Sequence, residues 1–246
     1  MQKYFQFSFL FLLIFTFAQK KPDNTFVKEH YNKKEVYITM RDGVKLFTSI
    51  YTPKDISKTK KLPFLMQRTC YSVAPYGETE FPRSLGPNKY LMNDEYIFVY
   101  QDVRGRYMSE GTFTNMTPQV ERKSKKDVDE STDTYDTIDW LIKNIENNNK
   151  KVGQYGTSYP GFYTAAGILA DHPSLVASSP QAPISDFWND DFLHNGKFMM
   201  GYFRTFPVFG IQKTKAEKDS WFMDTFIKPT SEDGLKFYRD MGTLKD

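Results

Sequence analysis

The sequence predicts an α/β fold built on a mostly parallel sheet, and three observations carry that expectation. Strand-like and helix-like stretches alternate between residues 62 and 169, an order that feeds parallel strands through crossover helices. Residues 152–161 read as a short strand, a tight turn and the start of a helix, with one hydroxyl, that of Ser158, at the apex. Asp42-Gly43 separates two alternating apolar runs, the strongest short-range signal for an antiparallel hairpin.

Taken in order, residues 1–18 form a unit of their own. Lys3 gives a positive start, residues 5–17 are almost wholly apolar, and Thr16 and Ala18 stand where a signal peptidase reads. A cleaved secretory signal is expected, hence a secreted or periplasmic protein, with an uncleaved anchor as the alternative; the run is short for a membrane span. No cysteine stands at that junction to carry a lipid. A polar segment runs from Gln19 to Lys34, and strands are expected over 35–40 and 44–51, then a charged loop over 52–61 and a buried strand over 62–67. Residues 89–94 read as the tail of a helix and 96–100 as another apolar strand. Tyr135, Ile138, Leu141, Ile142 and Ile145 recur at helical spacing behind the acidic stretch 127–136, which suits the positive end of a helix dipole. A polar tract over 146–151 ends that helix, and 175–179 reads as one more short strand. From about Ser185 aromatics and methionines dominate, consistent with the beginning of a helical insertion or lid.

At the apex, Gly156 and Gly161 bracket Ser158, and Pro160 sits in the first turn of the following helix, where its missing N–H has no intrahelical partner to lose. A serine nucleophile needs such a site: a strained strand-to-helix turn with small neighbours, whose new helix points N–H groups at the charge developing on the substrate. The competing reading is a glycine-rich turn whose serine merely caps the helix. The formal net charge is only +3, and no basic stripe with interleaved aromatics stands out, so nucleic acid is not an implied partner. Aromatics at 17 % suit broad packed surfaces or a ring-lined cleft. The single cysteine, Cys70, excludes an intrachain disulfide and a cysteine-based metal cluster and reads as a buried structural thiol. Nothing in the sequence calls for a metal or an organic cofactor.

Several stretches together resemble the cocaine esterase, α-amino-acid ester hydrolase and Xaa-Pro dipeptidyl-peptidase family of α/β-hydrolases. They are Ile38-Thr-Met-Arg-Asp-Gly-Val-Lys-Leu46, Arg68-Thr-Cys-Tyr71, Asp102-Val-Arg-Gly-Arg-Tyr-Met-Ser-Glu-Gly111, Asp136-Thr-Ile-Asp-Trp-Leu141, Gly156-Thr-Ser-Tyr-Pro-Gly161, Asp171-His-Pro173 and Gln181-Ala-Pro183. The resemblance covers residues 35 to about 200. It implies an α/β-hydrolase core of mostly parallel, incomplete sheet behind an N-terminal antiparallel hairpin, with 19–184 in that domain and 185–246 the start of a truncated helical lid. It further implies Ser158 as the nucleophile of an acyl-enzyme, with the Tyr159 backbone N–H and the Tyr71 phenol as oxyanion donors. Outside the resemblance Tyr71 reads as an ordinary half-buried ring among sixteen tyrosines. Cys70 replaces the family's proline, which relaxes the backbone before Tyr71. The pair Asp190-Asp191 resembles the start of a carboxylate cluster that holds a substrate ammonium, Asp191 being the favoured member; a solvated pair capping a lid helix is the alternative. Arg104 reads as structural, paired with a nearby carboxylate.

The implied activity is hydrolysis of acyl esters or amides, with an α-amino-acid ester hydrolase first, an Xaa-Pro dipeptidyl peptidase as alternative, and a non-catalytic binding module as the reading from another class. The partner would be a small-molecule or short-peptide acyl substrate; the oligomeric state is left open, a homo-oligomer included. The chain holds only His30, His172 and His194, and in this fold the acid and histidine follow the serine. The resemblance places both beyond the lid, so the 246 residues read as an N-terminal piece, weakly active or inactive alone.

Overall fold

The computed structural model describes residues 25–55, 57, 59–94, 96–121, 124, 126–186, 189, 193–195, 197–199 and 233–242. Among them a six-stranded sheet forms, in the order β1-β2-β4-β3-β5-β6. Its strands are β1 (Tyr31–Thr39), β2 (Lys45–Pro53), β3 (Leu62–Thr69), β4 (Ile97–Asp102), β5 (Asn148–Thr157) and β6 (Leu175–Gln181). The first two make the expected hairpin. Thr39 faces Lys45, and Met40 and Val44 close the turn through the amide of Met40 and the carbonyl of Val44 at 2.8 Å. β2 runs antiparallel to β4, while β4, β3, β5 and β6 are mutually parallel.

Each face of the sheet is covered differently. On one side Ile50, Phe64, Met66, Val99 and Val152 pack against Ile138 and Leu141 of helix α3 (Glu130–Asn144) and against Ile145, which caps it. Full burial of each such side chain contributes about 1.5–3 kcal/mol. The helix forms because its apolar positions share one stripe and because Asp129 caps it: the Asp129 carboxylate accepts from the Thr132 amide, and the Thr132 hydroxyl accepts from the Asp129 amide, both at 2.9 Å. It stops at Ile145, whose backbone is extended and whose carbonyl accepts from the Asn148 side chain. On the other face Tyr31, Tyr51 and Phe98 meet Val27 of α1 (Thr25–His30) and Leu85 of the long connection between β3 and α2 (Lys89–Asn93). α4 (Tyr159–Ile168) follows β5 directly. A two-stranded ribbon, β7 (Leu193–His194) with β8 (Lys197–Phe198), and helix α5 (Gly234–Asp240) complete the described elements.

Three expectations need correction. The polar segment does not reach Lys34: β1 begins at Tyr31, because Tyr31 and Lys33 are both buried. The Lys33 ammonium enters the interior by donating to the carbonyls of Pro75, Gly77 and Glu80 at 2.5, 2.9 and 3.1 Å, with Glu35 Oε1 at 2.8 Å. The polar tract after α3 is not all loop, since Asn148 to Lys151 already belong to β5. The expected helix tail is a complete one-turn helix capped by the Asn88 side chain, which accepts from the amides of Tyr90 and Leu91. The remaining strand and helix assignments through residue 181 hold. Most of the expected lid, and residues 1–18, lie outside the described residues.

Candidate active site

Strand β5 delivers Ser158 to the edge of the sheet where the parallel strands end. Asp102 pairs with Thr69 across β4 and β3, and Thr157 pairs with Gln181 across β5 and β6. Met66 pairs with Gln154, three residues before Thr69 and Thr157, so the four ends stand in one row. Ligands of open α/β sheets bind at such carboxyl ends.

Ser158 has φ 64° and ψ −126°, a region that a residue with a Cβ adopts only under strain. Its neighbours hold it there. Its amide donates to the Gln181 carbonyl at 2.9 Å, and its carbonyl accepts from the Phe162 amide to start α4. A Cβ on Gly156 would lie 2.2 Å from the Pro160 carbonyl oxygen, and one on Gly161 would lie 2.5 Å from the Gln181 carbonyl oxygen. The turn therefore closes only with glycine at both places. The Ser158 side chain makes no capping bond to α4, which removes the support for the helix-cap reading. Tyr159 is the first helical residue, where amide N–H groups lack an intrahelical acceptor, and Pro160 behind it has none to offer.

The Tyr159 side chain turns inward. Its hydroxyl accepts from the Met116 amide at 2.8 Å and reaches Asn115 Oδ1 at 3.0 Å, and its ring stacks on Tyr163. The Tyr71 ring stands edge-on to the Tyr159 ring, centroids 6.2 Å apart. The structure thus brings together Ser158, Tyr159 and Tyr71. Tyr71 and the two residues that flank Ser158-Tyr159, Thr157 and Pro160, line a cavity of about 520 Å³ together with Tyr100, Tyr155 and Gln181 among others. Tyr100 and Tyr155, which the sequence did not single out, are linked through their hydroxyls at 3.3 Å, and the Tyr100 oxygen accepts from the Gly86 amide at 2.7 Å.

Behind Tyr71 lies a buried carboxylate. Asp102 is fully enclosed; Oδ1 accepts from the Val73 amide at 3.0 Å, and Oδ2 accepts from the Tyr76 hydroxyl at 2.9 Å and the Met108 amide at 3.3 Å. Burial raises its pKa from 3.8 to about 7, against the pull of those donors and of Arg106. Cys70 is buried as expected, and burial pushes its thiol up as well.

Deeper in, Arg68 is buried between β3 and α3. Its Nε donates to Gln101 Oε1 at 2.8 Å, and its Nη1 donates to Glu130 Oε2 at 2.9 Å. Burial raises the Glu130 pKa, with Arg68 opposing the rise. Arg104 is structural, as expected: it bridges Asp42 and Asp133, each at 2.7 Å. The acidic start of α3 therefore does more than face the helix dipole, since Glu130 pairs with the buried Arg68 and Asp133 with the partly buried Arg104.

His30 ends α1 just before β1, and β1 runs parallel to β4, so His30 lies at the opposite end of the sheet from Ser158. His172, between α4 and β6, lies at that same far end; its Nδ1 accepts from the Ser174 amide at 3.0 Å and its ring meets Tyr135. His194 is exposed on β7. Asp191 lies outside the described residues. Among the described residues no group of three or more His, Cys, Asp or Glu side chains is placed to hold a metal ion, and no helix is long and apolar enough to cross a membrane.

Comparison with known proteins bears on the fold and the family. The chain is 33 % identical to an aminopeptidase of a marine-sediment Thaumarchaeota archaeon, with TM-score 0.70 over 87 % of this chain and 34 % of that one. An α-amino acid ester hydrolase is 35 % identical, with TM-score 0.69 over 87 % of this chain and 34 % of that one. Cocaine esterase of a Rhodococcus species is 29 % identical over 156 residues, 62 % of this chain and 24 % of that protein. The chain thus spans about a third or less of the length of these relatives. These neighbours place the described core, an N-terminal portion of such a sheet, with the α/β-hydrolase-type enzymes. The family model for X-Pro dipeptidyl-peptidase (S15 family) matches residues 42–222, and with Ser158 raised on its turn between β5 and α4, the chain belongs to that family of serine hydrolases.

Proposed function

We propose that this protein hydrolyses acyl esters or amides through an acyl-enzyme on Ser158. The observation that carries the reading is the backbone of Ser158, a non-glycine residue at φ 64° between a strand end and a helix start. Strain of this kind, on the order of 1–3 kcal/mol, persists where surrounding structure enforces it and clusters at reactive groups. Ser158 Oγ would attack the acyl carbonyl while its proton passes to a base. The oxyanion would be met by the Tyr159 amide and the Tyr71 phenol, the leaving group would depart, and water would cleave the ester to Ser158. The base is neither His30 nor His172, both of which sit at the far end of the sheet.

An α-amino-acid ester is the first substrate class, supported by the likeness to the α-amino acid ester hydrolase, with Asp191 receiving the substrate ammonium. An Xaa-Pro dipeptide amide is the second, supported by the family match. Export directed by residues 1–18 belongs to the same reading; amino-terminal sequencing of the mature protein checks it, and a blocked or intact Met1 would count against it.

The test uses the protein expressed from its own gene. A fluorophosphonate probe should label it at Ser158, and Ser158→Ala should abolish both labelling and ester turnover. Comparing an α-amino ester with an Ala-Pro anilide then separates the two substrate classes. Absence of labelling in the folded protein would favour a binding module.

A further inference from the structure

We infer that Asp102 is a positioning residue for the reaction, clamping residues 70–76 so that the Tyr71 phenol faces the reacting carbonyl. The inference rests on the reading of Tyr71 as an oxyanion donor. Three contacts made by residues 102–108 grip this short loop. Arg106 Nε donates to the Cys70 carbonyl at 3.1 Å, Asp102 Oδ1 accepts from the Val73 amide at 3.0 Å, and Asp102 Oδ2 accepts from the Tyr76 hydroxyl at 2.9 Å. Tyr71 stands between the first two, its own amide donating to Thr69 Oγ1 at 2.9 Å.

The loop needs holding because Ser72, next to Tyr71, has φ 82° without being glycine, a conformation that relaxes unless its surroundings fix it. The Ser72 hydroxyl bonds the Tyr76 hydroxyl at 2.9 Å and accepts from the Ala74 amide at 3.1 Å. Ser72, Tyr76 and Asp102 therefore form one chain of hydrogen bonds from the strained residue to the end of β4. A purely structural role accounts poorly for a carboxylate here. Enclosing a charge costs stability that a neutral side chain of similar shape would not, and the raised pKa of Asp102 records that cost. The groups facing Asp102 are Tyr76 on the loop, Arg106 and Tyr107 after β4, and Tyr37 on β1. Of these Arg106 is the only cation, and it is engaged with the Cys70 carbonyl and the Tyr107 hydroxyl.

The test is kinetic, on the protein expressed from its own gene, with a p-nitrophenyl ester. Tyr76→Phe deletes one hydroxyl at constant ring volume and should lower kcat about fivefold with KM changed less than about twofold, the signature of an interaction made in the transition state. Asp102→Asn should lower kcat further, and Tyr71→Phe about a hundredfold, the usual loss for one oxyanion donor. If Asp102 acts through Tyr71, adding Tyr76→Phe or Asp102→Asn to Tyr71→Phe should cost less than about twofold more, because the losses share one route. Multiplying losses in the double variants, or a Tyr76→Phe protein with unchanged kcat, would overturn the proposal. Should Asp102→Asn fail to fold, the Tyr76→Phe and Tyr71→Phe cycle decides the matter alone. Full turnover by Ser158→Ala would instead sink the nucleophile assignment beneath it, and a silent Tyr71→Phe in an otherwise Ser158-dependent protein would sink the oxyanion assignment.

Discussion

At the scale of single residues, two side chains sit where the folded chain holds them at a cost: Ser158 in its backbone, Asp102 in its charge. The second cost is readable as a pH dependence. Folded Asp102 keeps its proton to about pH 7, against 3.8 for an ordinary aspartate. The folded state thus binds the proton more tightly than the unfolded chain, and stability from this group is full below about pH 4, declines as pH rises, and levels off above about pH 7. Asp102→Asn stays neutral throughout. In urea unfolding at pH 5 and pH 8, wild type should lose stability relative to Asp102→Asn by an amount on the order of 1–3 kcal/mol as pH rises; a constant gap would mean that Asp102 does not titrate in this window. Gly156 carries the other residue-scale expectation. A Cβ there collides with backbone rather than with a movable side chain, so Gly156→Ala should destabilise by about 2 kcal/mol or more in the same assay, together with loss of probe labelling at Ser158.

At the scale of elements, helix α3 shows what patterning reveals and what it conceals. Ile138, Leu141 and Ile145 announce the stripe that meets the sheet, and that stripe is where it was expected. The acidic residues at its start were legible as a helix N-terminus but not as partners of Arg68 and Arg104, because ion pairs between segments 62 and 29 residues apart in sequence leave no periodic trace. Arg68 lies within the recognisable run Arg68-Thr-Cys-Tyr71, yet nothing in that run says its guanidinium turns into the interior. Glu130→Ala leaves that guanidinium enclosed with its main anion gone, and should cost about 3–5 kcal/mol in urea unfolding. Replacing the exposed partner of Lys143, Asp139→Ala, should cost no more than about 0.5 kcal/mol. Near-equal losses would refute the distinction. The beginning of β1 was missed for a related reason: a strand opening Tyr-Asn-Lys-Lys looks like a solvated segment until the carbonyls that receive Lys33 are in view.

Across the whole molecule, the candidate site residues collect where four parallel strands end, and this much the sequence already disclosed through the turn at Ser158 and the runs ending at Tyr71 and Asp102. What it could not disclose was the pairing of Tyr100 with Tyr155 in the cavity lining, since strand residues read as ordinary sheet aromatics until strand order sets β4 and β5 on either side of β3 and their hydroxyls meet. Nor could it show that the connection between β3 and α2 is held from both sides of its first half: by an enclosed carboxyl, Asp102, at residues 73 and 76, and by an enclosed ammonium, Lys33, at residues 75, 77 and 80. The second half of that connection supplies Pro82, Ser84, Gly86 and Pro87 to the cavity wall, and Ser84 is exposed there. One stretch of chain is thereby divided into an anchored abutment and a replaceable panel. On the proposed reading, residues 82–84 are the place where diversification or directed evolution would reshape acyl-group preference while the abutment that carries Tyr71 stays as it is.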